Sequence, residues 1–95
     1  MYGAIGEIRL FIPTASSLKD RRRIIKSLRD RLRQQCNVSI ADLSEDRLWQ
    51  SAVLAFAIVS SNMSGLESEL HEVEAQLYRY PEDVEVLSFE YRYLE

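Results

Sequence analysis

Eight consecutive apolar residues at 52–59, Ala-Val-Leu-Ala-Phe-Ala-Ile-Val, constrain this chain more than any other feature. Extended backbone sends alternate side chains to opposite faces, so a run that is apolar on both faces suits a strand inside a sheet. The run is too short to be the roughly 20 apolar residues of a membrane helix. The charge-free stretch around it, 48–66, is diluted by Gln50, four serines, Asn62 and Gly65. A strand is therefore expected over 48–60, with Leu54, Phe56 and Ile58 on one face and Val53, Ala55, Ala57 and Val59 on the other. Trp49 stands at its start as a core, rim or interface aromatic.

The rest of the chain supplies elements to surround that strand. Residues 3–12 alternate, with Ile8, Leu10 and Ile12 on one side and Glu7, Arg9 and Phe11 on the other, which predicts a strand with one buried face. Pro13 cannot donate to a ladder and ends it. Ser17-Leu18-Lys19-Asp20 has the form of a capping box. A helix follows to about Gln35, with Leu18, Ile25, Leu28 and Leu32 on one face and Ile24 at its border. A second strand is expected over 37–43, with Val38 and Ile40 inward, and a turn at 44–46. A second helix begins at 62–65, carries the stripe Leu66, Leu70, Val73 and Leu77, and stops at Pro81. A last strand covers 84–94, with Leu87, Phe89, Tyr91 and Tyr93 on one face.

Strand, helix, strand, strand, helix, strand is the order of the split βαβ, or ferredoxin-like, α+β fold. It predicts a four-stranded antiparallel sheet with two helices on one face. The first and third strands are central, and the second and fourth are edges. With 95 residues, 1–95 is expected to be a single domain. Leu, Ile, Val and Phe make up 28 of the 95, enough to build a core where a poorer chain would stay disordered.

Several kinds of chemistry lack their residues. The lone Cys36 permits no intrachain disulfide, and without a secretory leader or membrane span the expectation is a cytoplasmic protein. His71 is the one histidine; off the apolar stripe of its helix, it is expected at the surface, with no companions for a metal site. Cys36 reads as a small semi-buried thiol rather than half of a catalytic pair. Tyr78, Tyr80, Tyr91 and Tyr93 are expected to pack together. With glycine only at 3, 6 and 65, there is no phosphate-cradling loop. No enzyme activity, catalytic residue, metal, cofactor or small-molecule substrate is expected.

Charge is unevenly divided. Residues 1–36 hold nine Lys or Arg against three acids, whereas residues 37–95 hold three against twelve, within a net charge of −3. On the first helix Lys19, Arg22, Arg23, Lys26, Arg29 and Arg33 share a face away from the apolar stripe. Such a stripe can follow a phosphate backbone. A charged helix face is also commonly only solvated, here with the option of pairing to Glu67, Glu69, Glu72 and Glu74 on the second helix. The uncovered face of the sheet forms a second candidate surface. Its middle is too apolar to be simply solvated, which points to a homodimer or higher homo-oligomer, through this face or an edge strand, with Trp49, Val53, Ala55 and Ala57 at the interface. The alternatives are that small alanines and two valines expose too little area to need a partner, or that a different protein covers them. Bases are not expected to stack there, because the outward residues of the third strand are aliphatic and Phe11 is the one suitably placed aromatic.

Three stretches, Ser17-Leu18-Lys19-Asp20-Arg21-Arg22-Arg23, Asn37-Val38-Ser39-Ile40-Ala41 and Leu48-Trp49-Gln50-Ser51-Ala52, resemble in order the small bacterial YlxP-like proteins, a family of unknown function. The resemblance covers essentially the whole chain, departing at Thr14-Ala15-Ser16 and at Cys36. It implies a ferredoxin-like fold and a cytoplasmic bacterial protein. Genes of that family often neighbour those for a translation initiation factor, a ribosome-binding factor and a tRNA pseudouridine synthase. The resemblance lends no catalytic residues. Together these readings predict a non-catalytic accessory protein that contacts RNA or the small ribosomal subunit through its basic first helix. The alternative is a homo-oligomeric protein-interaction module with no nucleic-acid role.

Overall fold

The computed structural model describes residues 1–79 and 84–94. Strand β1 (Tyr2–Phe11) buries Ala4, Ile8 and Leu10 and exposes Glu7 and Arg9, as its alternation requires. Helix α1 (Leu18–Gln35) opens on Ser17, whose Oγ accepts from the Asp20 amide at 3.1 Å. The return bond lands one residue further out than in a capping box: Asp20 Oδ2 accepts from the Ser16 amide at 3.1 Å and the Ser16 hydroxyl at 2.7 Å. The helix buries Ile24, Ile25, Leu28 and Leu32, and also Arg21.

Strand β2 (Ser39–Asp42) is shorter than its sequence pattern suggests. Strand β3 (Ser51–Ser60) starts three residues later than expected, because the Ser51 amide donates to the Leu48 carbonyl at 3.1 Å and closes a turn. Trp49 thus belongs to the loop between β2 and β3 rather than to a strand. Helix α2 (Met63–Tyr78) is capped by Asn62, whose Oδ1 accepts from the Gly65 amide at 2.7 Å. Strand β4 (Glu85–Leu94) completes the chain's pattern. Pro81 and Tyr80, assigned above to the helix stop and the tyrosine group, lie outside the described residues.

The sheet runs β2-β3-β1-β4, with every pairing antiparallel. This is the ferredoxin-like βαββαβ arrangement, with β3 and β1 central. Both helices lie on one side: α2 packs on β3, β1 and β4, and α1 on β3 and α2. Between them and the sheet sit Ile8, Leu10, Leu54, Phe56, Ile58, Leu66 and Leu77, all essentially inaccessible. Each such side chain contributes about 1.5–3 kcal/mol by leaving water.

Two local features shape the β4 side. Arg9 pairs with Ser88 but Leu10 pairs with Val86, so Leu87 is a bulge residue without a partner on β1. The expected common face of Leu87 with Phe89, Tyr91 and Tyr93 is therefore broken: Leu87 is exposed, while the other three pair with Ile8, Gly6 and Ala4 on the helix side. Gly6 lies between Phe56 on β3 and Tyr91 on β4. A Cβ there would approach the Phe56 ring to 2.7 Å and the Glu90 carbonyl oxygen more closely still. The missing side chain lets Phe56 reach across β1 and stack on Phe89, with centroids 5.4 Å apart and planes 2° from parallel. Among the described residues no helix is long and apolar enough to cross a membrane.

Candidate nucleic-acid interface

Three arginines in succession open α1, and the 100° turn per residue sends them in different directions. Arg21 points inward and is 2% exposed. Its Nη1 donates to the backbone carbonyls of Glu45 at 2.6 Å and Leu48 at 2.9 Å, and its Nη2 lies 3.6 Å from Asp46 Oδ1. A buried charge must be hydrogen-bonded, and here the loop between β2 and β3 supplies two carbonyls to Nη1, while Nε is buried without a partner among the described residues. Arg21 thereby fastens residues 43–50 to the start of α1. The same loop is tied to the β1 side by the Ile12 amide, which donates to the Gln50 carbonyl at 2.8 Å.

The candidate basic residues divide by their neighbours. Lys19, Arg22, Arg23 and Lys26 are exposed. Arg22 lies 3.4 Å from Asp46, and Lys26 donates to Asp30 at 2.9 Å; all four of these side chains are open to solvent. Such pairs contribute about 0–1 kcal/mol and release readily. Arg29 is half-buried. Arg33 donates to the Ile40 carbonyl at 3.0 Å. The Leu43 amide donates to the Val53 carbonyl, so by antiparallel alternation the Ile40 carbonyl faces the free edge of β2. Arg33 covers that edge.

The ion pairs of the stripe therefore run to Asp46 and Asp30, on the β2 side and on α1 itself, instead of to the glutamates of α2. Glu69 accepts from the Asn37 amide at 3.0 Å, and Glu72 from Gln76 Nε2 at 2.7 Å. The helix's own carboxylates register the local positive field. Hydrogen bonds from the Ser16 hydroxyl and amide hold Asp20 below the usual carboxylate range, with Arg23 and Lys19 assisting. The Lys26 hydrogen bond and charge do the same for Asp30, helped by Arg33 and Arg29.

The fastened loop brings further groups to this surface. Arg47 is exposed, pairing with Glu45 in its own loop at 3.0 Å, and Trp49 is 47% exposed. Sequence reasoning placed Trp49 with Val53, Ala55 and Ala57. The last three do lie on the uncovered face of β3, half-buried, beside exposed Ile5 and Val59. That face turns polar toward β4, where Glu7 and Arg9 pair at 3.5 Å near Glu90 and Arg92. Phe11 is half-buried opposite Ser51.

Cys36 is buried, and burial, with Glu69 and Glu72 nearby, pushes its thiol up to about 11. A thiol held protonated is a poor nucleophile. Among the described residues no group of three metal-ligating side chains forms. Sequence reasoning missed two features: the inward role of Arg21, and a groove in which exposed His71 and two glutamates of α2 face the aromatic side chains of β4. The spacing of Glu67, His71 and Glu74 along one helix, set against the alternating Phe89, Tyr91 and Tyr93, was the available signal.

Comparison with known proteins agrees with this architecture. Residues 4–91 match a family model described as "Protein of unknown function (DUF503)". The "Uncharacterized protein YlxP" of Bacillus subtilis (strain 168) is 34% identical over 76 residues, covering 80% of this chain and 83% of that protein. Among solved structures, the de novo designed protein Foldit4 superposes with a TM-score of 0.53 at 15% identity, covering 98% of this chain and 97% of that one. SnoaB, a cofactor-independent oxygenase from Streptomyces nogalater, gives 0.50 at 9% identity over 100% and 93% of the two chains. At these identities the structural likeness concerns the fold alone.

Proposed function

The chain belongs to the DUF503 family of proteins of unknown function, and from that premise we propose that it is a non-catalytic accessory protein that contacts RNA, on the small ribosomal subunit, through α1 and the loop fastened to it. The observation that carries this reading is the buried Arg21, which holds a loop bearing Arg47 and half-exposed Trp49 against the basic end of α1. Cations for phosphates beside an aromatic for a base is the combination that single-stranded RNA requires. Lys19, Arg22, Arg23 and Lys26 meet phosphates, while Trp49 offers its ring to an unstacked base, worth about 1–3 kcal/mol. Arg29, half-buried, and Arg33, bonded to the Ile40 carbonyl, contribute less. Four single-strand phosphate contacts give a slope of log affinity on log salt near about −3.

The test is co-sedimentation with small ribosomal subunits at low and high salt, comparing the native chain with an Arg22→Glu, Arg23→Glu, Lys26→Glu variant. Salt-sensitive binding that the variant loses supports the reading. Absence of binding at low salt, or binding that survives the three reversals, rejects it. A second reading has its own observation: Val53, Ala55 and Ala57 form an apolar strip beside exposed Ile5 and Val59. It makes the open sheet face a self-association surface in a homodimer. Light scattering across micromolar concentrations tests it, and a monomer throughout rejects it.

A further inference from the structure

The side of the molecule opposite the basic stripe holds a cavity of about 270 Å³ between α2 and β4. Glu67, His71 and Glu74 form its helical wall, Tyr91 and Tyr93 its strand wall, and Leu70 and Phe89 its floor. The aromatic wall is a continuous ladder. Phe89 meets Tyr91 edge-on at 5.7 Å, and Tyr91 meets Tyr93 likewise at 5.7 Å. α2 leaves these rings uncovered: Tyr91 and Tyr93 remain 43% and 44% exposed on the helix side of the sheet. Desolvation and the hydrogen bond with Tyr91 push the Tyr93 hydroxyl up, with a smaller contribution from the charge of Glu67.

Two properties define the occupant. Ring faces beside two carboxylates attract a flat or compact cation, through the ring quadrupole and direct ion pairing. The cavity is smaller than the roughly 300–1,000 Å³ of typical small-molecule sites, so it suits one long side chain. It also lies behind a sheet edge: β4 is a ten-residue strand, and among the described residues it pairs in the sheet with β1 alone. An extended segment added to that edge sends alternate side chains to the helix side, where the cavity is.

We propose that the β4 edge and the cavity behind it dock an extended, arginine-bearing segment of a partner protein, with the guanidinium seated against Tyr91 and Tyr93 and paired to Glu67 and Glu74. The segment's backbone extends the sheet, and its arginine supplies the specificity. This site is separate from the RNA-contacting surface and does not depend on it.

The test is an NMR titration of the full chain, following the tyrosine and histidine ring signals and the β4 amides. The probes are a capped pentapeptide with a central arginine between β-branched residues, the same peptide with glutamine in place of arginine, and agmatine. Saturable shifts at Tyr91, Tyr93 and His71 are expected with the arginine peptide, together with perturbed β4 amides. Affinity should fall about tenfold for the glutamine peptide and for the chain carrying Glu67→Gln and Glu74→Gln. No saturable shift at millimolar peptide overturns the proposal, as does equal binding of the arginine and glutamine peptides. Agmatine binding as tightly as the arginine peptide overturns the sheet-edge assignment. The peptide comparison uses the native chain, so its outcome does not rest on the folding of a variant.

Discussion

The two helices share one face of the sheet, yet α1 carries eight Lys or Arg side chains and α2 carries none, while α2 carries four glutamates against the two aspartates of α1. On α1, one arginine is taken into the fold to fasten a loop, and its neighbours stay outside as a positive surface. On α2, the acids are divided: Glu69 and Glu72 serve the fold, and Glu67 and Glu74 look onto uncovered tyrosines. A charge-rich helix is thus two populations of side chains, and the partners of each residue, more than the net charge, decide which population it joins.

The largest expected effect strikes the sheet beneath α2. Gly6→Ala places a Cβ against the Phe56 ring and the Glu90 carbonyl, and the backbone oxygen cannot rotate away. A loss of about 3 kcal/mol is expected, read as a lowered urea midpoint, with the Phe56–Phe89 stack disturbed in near-ultraviolet dichroism. On the α1 side the corresponding break is Arg21→Met, which leaves the Glu45 and Leu48 carbonyls without their donor. That change should cost about 2 kcal/mol and speed amide exchange at residues 43–50, while the tyrosine ring signals of the α2 groove stay unchanged.

A smaller effect separates the two surfaces by function. Charge reversal at Arg22, Arg23 and Lys26 should weaken RNA binding about tenfold or more, while Glu67→Gln with Glu74→Gln leaves it unaltered. Equal losses in both variants would show that net charge alone governs binding and dissolve the contrast. The Cys36 thiol gives a chemical comparison. Its folded pKa of about 11 lies above the ordinary thiol value of 9.0, so between those pH values the unfolded chain ionises and the folded one does not. Stability from this group is present below pH 9 and declines as pH rises toward 11; native protein at pH 8 should resist a thiol reagent that reacts fully in denaturant.

The smallest effect is at the acid end. Asp20 has a folded pKa below its ordinary value of 3.8, so its contribution is present above that value and is lost as pH falls through the folded pKa. Asp20→Asn should flatten the acid limb of the stability profile, measured by helix dichroism against pH. A limb unchanged by the substitution would show that the Ser16 bonds do not anchor the start of α1.

Much of this architecture was legible in the sequence. The apolar run at 52–59, the alternation of β1, the Ser17 cap and the two helical stripes each repeat within a few residues, so element order and sheet topology could be read from them. The basic stripe was also legible as a set of residues. Its division was not: Arg21, Arg22 and Arg23 are chemically identical neighbours, and the loop carbonyls that claim Arg21 lie more than twenty positions away. Trp49 looked like the start of a strand because the turn that removes it depends on a backbone bond from Ser51 to Leu48. Leu87 looked as though it shared a face with Phe89, Tyr91 and Tyr93 because a bulge changes the phase of an alternation that sequence shows as unbroken.

Sequence by itself determined the period, order and polarity of the elements, because each is set by backbone geometry and side chains within one or two turns. Tertiary structure alone decided which arginine is buried, where β4 shifts register, and that β4 tyrosines and α2 glutamates wall one cavity. Those outcomes depend on which groups meet after the chain has folded, when desolvation forces each buried charge to find a partner and leaves each uncovered surface free to take one.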